Sequence, residues 1–255
     1  MKSKQNINYL SLLSNLLSLA LGIVLSVVLL LSAIRHYSCN ETYLEQQFQK
    51  NNIAAATGFS EPALTQIIRQ MTGYLSGRES SVQLTLPVSG KETPVFNNRE
   101  LAYLLDVKVI FVLLDKIKQF CLLLLLTVLI PFSLYVYFSC RKRRNAKTVW
   151  LQRRYWMNIF KILAFNAAFT LILTGGLTFM MLTNFDKYFT YFHRFLFDVD
   201  LWLLNSYDRL SQMLPKKLFY DVILQIMGHY AVISLILGAA GLIFFAILKK
   251  DEAAL

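Results

Sequence analysis

Four apolar runs, Leu10–Ile34, Phe120–Phe138, Ile162–Leu182 and Val222–Leu248, are each long enough to cross a bilayer. A helix needs about 20 residues to span the hydrocarbon core. None of the runs contains Asp, Glu, Lys or Arg. The chain is therefore expected to be a four-span membrane protein. The basic residues are unevenly spread between the runs. The amino terminus, the loop Arg141–Lys161 and the tail carry twelve Lys and Arg against Asp251 and Glu252. That accounts for nearly all of the net charge of +11. The positive-inside rule then makes both termini and the Arg141-Lys142-Arg143-Arg144 loop cytoplasmic. The same asymmetry explains the basic pI as a topology signal and an attraction to anionic lipid, not as a nucleic-acid footprint.

The expected fold class is all-α: four transmembrane helices, a small mixed α/β extracytoplasmic domain between the first two, and an interfacial helical loop between the last two. Residues 1–34 are the cytoplasmic tail and first span, and 35–98 the outer domain. Residues 99–140 are a juxtamembrane helix and second span, and 141–183 the basic loop and third span. Residues 184–217 are the interfacial loop, and 218–255 the fourth span and tail. The first span is too long for a signal-peptide core, and Arg35-His36 follows it where a small-residue cleavage site would stand, so it reads as a retained anchor. Cys39, Cys121 and Cys140 fit neither a disulfide framework nor a metal site. Cys140 beside Arg141 is an ordinary boundary residue or an acylation site.

In the outer domain, Glu41–Lys50 has helical propensity. Ser60-Glu61-Pro62 opens a second helix with Ser60 as cap. Leu64, Ile67, Ile68, Met71 and Leu75 form its apolar stripe, and Gly77 ends it. Val82–Leu86 alternates like a strand, Ser89-Gly90-Lys91 turns, and Pro94-Val95-Phe96 returns. So small a domain buries little apolar surface alone and is expected to rest on the membrane or the helix tops. Asn97 and Glu100 have capping-box spacing. One long helix, whose only Pro is Pro131, is expected to start there and run to Cys140. Arg99, Tyr103, Asp106 and Ile110 share one of its faces. Asp106, Lys108 and Asp115 are too polar for lipid, so the upper turns face water or protein, or form a solvated collar.

Segment 184–217 is heavily apolar yet interrupted by charge throughout. Phe185, Phe189, Phe192, Leu196 and Phe197 suggest an amphipathic helix in the interface, with Trp202 at headgroup depth. Such a loop contacts lipid, acts as a lid, or is an interfacial strut. His193 is the one histidine placed there among charges. An imidazole titrating near neutral pH is either a proton-transfer group or a structural residue bonded to a carbonyl or headgroup. Gly175-Gly176 reads as a close helix contact. No carboxylate in the apolar runs and no pair of broken helices marks a transport path.

Two blocks carry a family resemblance. Residues 192–204, beginning Phe192-His193-Arg194-Phe195 and reaching Trp202, resemble F-H-x-x-F-F-x-N-D-x-W. Asp208 through Asp221, with Met213, Pro215 and Phe219, resemble D-x-L-I-x-M-x-P-x-x-F-F-x-D. Phe96 through Lys108 is similar to F-x-x-R-E-x-x-H-M-x-D-V-K. These are signatures of the lipoprotein intramolecular transacylase (Lit) family. The resemblance implies an acyltransferase of the bacterial cell membrane with its site on the outer face. Its substrate is a diacylglyceryl lipoprotein within membrane lipid. The sn-2 acyl chain moves to the cysteine's own α-amine, with no cofactor and no metal. It points to His193 and the position of Tyr103 as catalytic, with Asp106 beside them, and to Lys108, Arg194 and Trp202 as substrate contacts. Tyr103 stands where the family has its second histidine, and Ser206-Tyr207 where a Pro is frequent. Either His193 alone moves the proton while Tyr103 orients or stabilises, or the chain is a non-catalytic lipid- or lipoprotein-binding protein of the same fold. No oligomeric state follows from the sequence.

Overall fold

The computed structural model describes residues 2–88, 91–142, 146–197 and 199–253. Arg143 and Arg144 of the basic loop, Ser89 and Gly90 of the expected turn, and Asp198 lie outside the described residues. Helix α1 is Lys2–Ser38, α2 Glu41–Lys50, α3 Ile53–Thr57 and α4 Glu61–Ser76. A hairpin of β1 (Thr85–Val88) and β2 (Lys91–Pro94) follows, antiparallel with Leu86 opposite Thr93. Helices α5 (Asn98–Lys142) and α6 (Ala146–Leu196) are joined by a short basic segment. A 3₁₀ turn at Asp200–Trp202, α7 (Arg209–Met213) and α8 (Lys216–Ala253) complete the order.

Among the described residues, four helices are long and apolar enough to cross a membrane. The 45 residues of α5 rise about 67 Å, more than twice the hydrocarbon thickness of about 30 Å. Its apolar run Phe120–Phe138 fills only the second half, so residues 98–116 lie outside the span. The 51 residues of α6 likewise exceed the span Ile162–Leu182. The helix expected after the third span is present: Asn184 (φ −163°, ψ 81°) is non-helical and kinks α6, and a second helical stretch runs from there to Leu196. Asn184 Oδ1 accepts from Lys187 N and so caps the second half of the helix at that break.

The chain divides into two compact units. The first comprises residues 1–31, 117–176 and 228–255. Its apolar centre is Leu21, Leu125 and Ile162, with Val24, Leu25, Val28, Leu124, Val128, Leu129 and Ile159 packed around them. A buried polar cluster accompanies it: Ser26 Oγ bonds Thr170 Oγ1 at 3.1 Å and also the Tyr230 hydroxyl. Small residues bring these helices together. A Cβ at Gly22 would meet Ile162 O and Phe165 Cβ, both at 2.8 Å, and one at Gly238 would stand 2.5 Å from Ala167 Cβ. At Gly175 and Gly176 an added Cβ meets nothing within 4 Å. The close helix approach expected at that pair occurs instead at Gly22 and Gly238, because the pair faces away from the other helices of the unit.

Gly238→Ala is expected to destabilise the protein by about 1–3 kcal/mol, the range for overpacking a tight contact. Gly175→Ala is expected to be neutral or to gain up to about 1 kcal/mol from helix propensity. Thermal unfolding in detergent distinguishes them. Equal shifts for the two variants would contradict the packing described.

The second unit comprises residues 32–116 and 177–227. Leu64, Ile67, Ile68, Met71 and Tyr74 of α4 are buried, as are Ile53 and Phe59 before it. Leu210 and Met213 of α7 are buried as well, and α3 packs on α7. The 35–98 segment thus shares a core with the segment between α6 and α8. Gly77 ends α4 with φ +79°, where a side chain would be strained. Ser60 occupies the N-cap of α4 but its side chain makes no capping bond there. The Pro at the first turn reduces the number of amide hydrogens that need a partner. The strand ladder lies closer to the turn than the sequence places it: β1 begins three residues after Val82, and β2 begins three residues before Pro94. Val82, Gln83 and Leu84 precede the strand ladder, although Val95 N donates to Leu84 O just beyond its end. Arg35 ties the unit together, donating to the carbonyls of Leu75 and Ser76 and pairing with Asp115 at 3.5 Å.

Candidate active site

The site is built at the start of α5. Asn97 and Glu100 form the reciprocal box: Asn97 Oδ1 accepts from Glu100 N at 2.9 Å and Glu100 Oε2 from Asn97 N at 2.7 Å. Glu100 is 1% exposed, and its other oxygen accepts from Leu210 N at 2.6 Å. Asn97 Nδ2 donates to Asp208 Oδ1, and Asp208 Oδ2 accepts from Asn205 N. Arg99 Nη2 donates to the carbonyls of Asp200 at 3.2 Å and Leu203 at 2.7 Å. Three polar functions, at 97, 99 and 100, therefore hold the 200–210 segment onto the first turn of α5. Glu100 gives this clamp its stiffness: a buried carboxylate with two backbone donors leaves both orphaned if removed, at about 1–3 kcal/mol each.

One turn after Arg99 stands Tyr103, 8% exposed. Its hydroxyl lies 3.5 Å from Nε2 of His193, which is 4% exposed. His193 Nδ1 is 2.8 Å from the carbonyl oxygen of Phe189, one helical turn earlier. A carbonyl only accepts, so Nδ1 carries the hydrogen and, in the neutral ring, Nε2 keeps its lone pair. That lone pair faces the Tyr103 hydroxyl. The imidazole is enclosed by Phe189, Phe197 and Trp202, with ring centroids at 4.2, 5.8 and 5.0 Å. Phe192 and Phe219 approach edge-on, and Phe197 also tilts against Tyr103 at 5.3 Å.

Both groups lie outside the apolar spans, and the aromatic enclosure sets their protonation. Burial lowers the His193 pKa, opposed by its bond to the Phe189 carbonyl. The neutral imidazole is thereby favoured down to pH values below its usual 6.5. Burial, with the Asp106 charge nearby, pushes Tyr103 up to about 12. The pair is thus an unprotonated imidazole nitrogen beside a phenol that keeps its proton: a base and a hydrogen-bond donor side by side.

The other residues singled out from sequence are placed differently. Asp106 is half-buried one turn beyond Tyr103 on α5 and acts on it through charge. Trp202 joins the wall of the imidazole pocket. The Lys108 ammonium is engaged elsewhere, 3.8 Å above the Tyr74 ring and bonded to the Glu79 carbonyl. Arg194 follows His193 on α6 but is exposed. Among the described residues no three or more His, Cys, Asp or Glu side chains gather as a metal site. The reach of Arg99, Glu100 and Asn97 to residues more than 100 positions away was not readable from sequence. Only the capping-box spacing and the shared face of Arg99 and Tyr103 hinted at it.

The family model for the lipoprotein intramolecular transacylase Lit matches residues 19–219. The chain belongs to the Lit family. Solved structures agree with the fold. The in meso structure of the membrane integral lipoprotein intramolecular transacylase Lit from Bacillus cereus superposes with a TM-score of 0.71 at 16% identity. The match covers 96% of this chain and all of that one. A variant of the same protein with one histidine replaced by arginine gives 0.71 at 17% identity, covering 99% of both chains. This chain is accordingly an all-α, multi-pass membrane protein of the Lit fold. An uncharacterized protein of Aquifex aeolicus (strain VF5) is 28% identical over 102 residues, 40% of this chain. The match spans 45% of that relative's length, so it carries no argument about activity.

Proposed function

We propose that this chain carries out intramolecular acyl transfer in a lipoprotein. The sn-2 acyl chain of a diacylglyceryl cysteine passes to the α-amine of the same cysteine. The observation that carries this reading is the His193–Tyr103 pair, with Nδ1 held by the Phe189 carbonyl and Nε2 left open toward the phenol. The amine nitrogen attacks the ester carbonyl carbon, and His193 Nε2 takes the proton released from nitrogen. The Tyr103 hydroxyl donates to the oxygen that becomes negative. When the C–O bond to glycerol breaks, the proton passes from the imidazolium to the departing sn-2 oxygen. The products are an amide and a free glycerol hydroxyl. Both reacting groups belong to one molecule, so holding them aligned supplies much of the acceleration. The aromatic enclosure excludes the water that would hydrolyse the ester.

Orientation belongs to the same reading. With both termini and the basic loop cytoplasmic, the start of α5 and the end of α6 stand on the outer face of the cell membrane, where lipoprotein amino termini are exposed. Asp106, Lys108, Arg194 and Trp202 then border the lipoprotein and its headgroup region. A second reading is supported by one observation: Tyr103 occupies the position of the family's second histidine. In that reading the chain binds lipid or lipoprotein without turnover. Mass spectrometry of a diacyl lipopeptide incubated with the purified protein distinguishes the two. Acyl transfer leaves the mass unchanged and makes the α-amine unreactive to amine labels. An amine that stays fully reactive would exclude the catalytic reading.

A further inference from the structure

We propose that the Trp202 indole N–H is a second donor to the oxyanion, and that Arg99 is the residue that positions it. The inference rests on the acyl-transfer reading above. Trp202 Nε1 is buried and has no hydrogen-bond partner. An indole nitrogen is a donor only, and a buried donor left unpaired in a native protein calls for an explanation. Its position supplies one. The indole lies against His193 with 5.0 Å between ring centroids, on the same imidazole whose Nε2 faces Tyr103. An ester carbonyl placed for attack beside Nε2 brings its oxygen to a place where, among the described residues, the donor already facing Nε2 is the Tyr103 hydroxyl. A tetrahedral oxyanion is better served by two donors, and acyl-transfer sites gain most of their stabilisation from such preset hydrogen bonds.

The turn that carries Trp202 is short: the 3₁₀ segment Asp200–Trp202. Left to itself, so short a turn holds a side chain loosely. Arg99 removes that freedom, since one guanidinium nitrogen bonds the carbonyls of Asp200 and Leu203, on either side of the tryptophan. Arg99 sits four residues before Tyr103 on α5. One helix face thereby presents the first donor directly and anchors the second through the backbone. Arg99 does not touch the imidazole pocket by any of its bonds, so its effect on the reaction passes through Trp202.

Replacing Trp202 with benzothienylalanine, in which sulfur takes the place of the N–H, tests the donor without disturbing packing. In the full-length protein acting on a synthetic diacyl lipopeptide, kcat is expected to fall about 10²-fold or more, up to the 10³-fold typical of one oxyanion donor. KM and the thermal transition are expected to stay within twofold and within a degree or so of wild type. Arg99→Ala is expected to lower kcat in the same direction. The double variant should be no slower than the isostere alone, because both changes remove one function. An isostere that keeps wild-type kcat would overturn the donor role. Losses that multiply would remove Arg99 from the positioning role. Wild-type protein that leaves the amine untouched would overturn the acyl-transfer reading, and this inference with it.

Discussion

Replacing His193 with alanine is expected to abolish lyso-form production, by at least about 10²-fold, the usual scale of positioned acid–base catalysis. The protein is expected still to fold, because the clamp of Asn97, Arg99 and Glu100 onto the 200–210 segment does not involve the imidazole. The pH dependence makes the role specific. Two groups must be unprotonated: the substrate α-amine, with a pKa of about 7.7–8.0, and His193. Burial lowers the His193 pKa, so the imidazole remains a base as pH falls through neutrality and is lost only below 6.5. The logarithm of the rate is therefore expected to fall with unit slope below about pH 8, from the amine, and to steepen to two only on the acid side of 6.5. His193→Ala should remove the second bend along with most of the rate. A wild-type profile that keeps unit slope far into acid would assign the base to another group.

Tyr103→Phe deletes the donor and keeps the ring that packs on Phe197. The expected loss is about 10²-fold, and no more than about 10³-fold. Because the phenol is pushed up to about 12, Tyr103 stays protonated throughout the working range. No fall in rate from its ionisation is expected near pH 10. Tyr103→His is the sharper change, since it restores the family's second imidazole facing Nε2 of His193. Activity is expected to be retained or raised. If the wild type shows no transfer and Tyr103→His creates it, the chain is a binding protein that has lost turnover. Full activity in Tyr103→Phe would show that the hydroxyl, 3.5 Å from Nε2, does nothing for the reaction.

The four spans and the long helix at 98–142 were legible because apolar runs and the absence of Gly are local facts. The Asn97–Glu100 box was legible for the same reason, its two partners being three residues apart. The joining of Tyr103 to His193 needed the family motifs, since nothing in the spacing of residues 90 apart brings them together. The helix after Asn184 was legible from its aromatic spacing, and the capping bond from Asn184 to Lys187 N starts it beyond the kink. One feature was misread for a physical reason. The Gly175-Gly176 pair has the composition of a helix contact, but a contact depends on which face the neighbours occupy. Gly22 and Gly238 supply it instead.

The most direct test of the account is an isotope crossover. A diacyl lipopeptide with a deuterated sn-2 chain and an isotopically marked peptide is mixed with its unlabelled counterpart and the purified protein. Tandem mass spectrometry then reads which acyl chain lies on which α-amine. Amide products are expected in which the labelled chain is found only on the labelled peptide, with no third acyl donor present and no free fatty acid released. Amides that carry the label of the other molecule, or release of the sn-2 chain to water in place of amide, would contradict it.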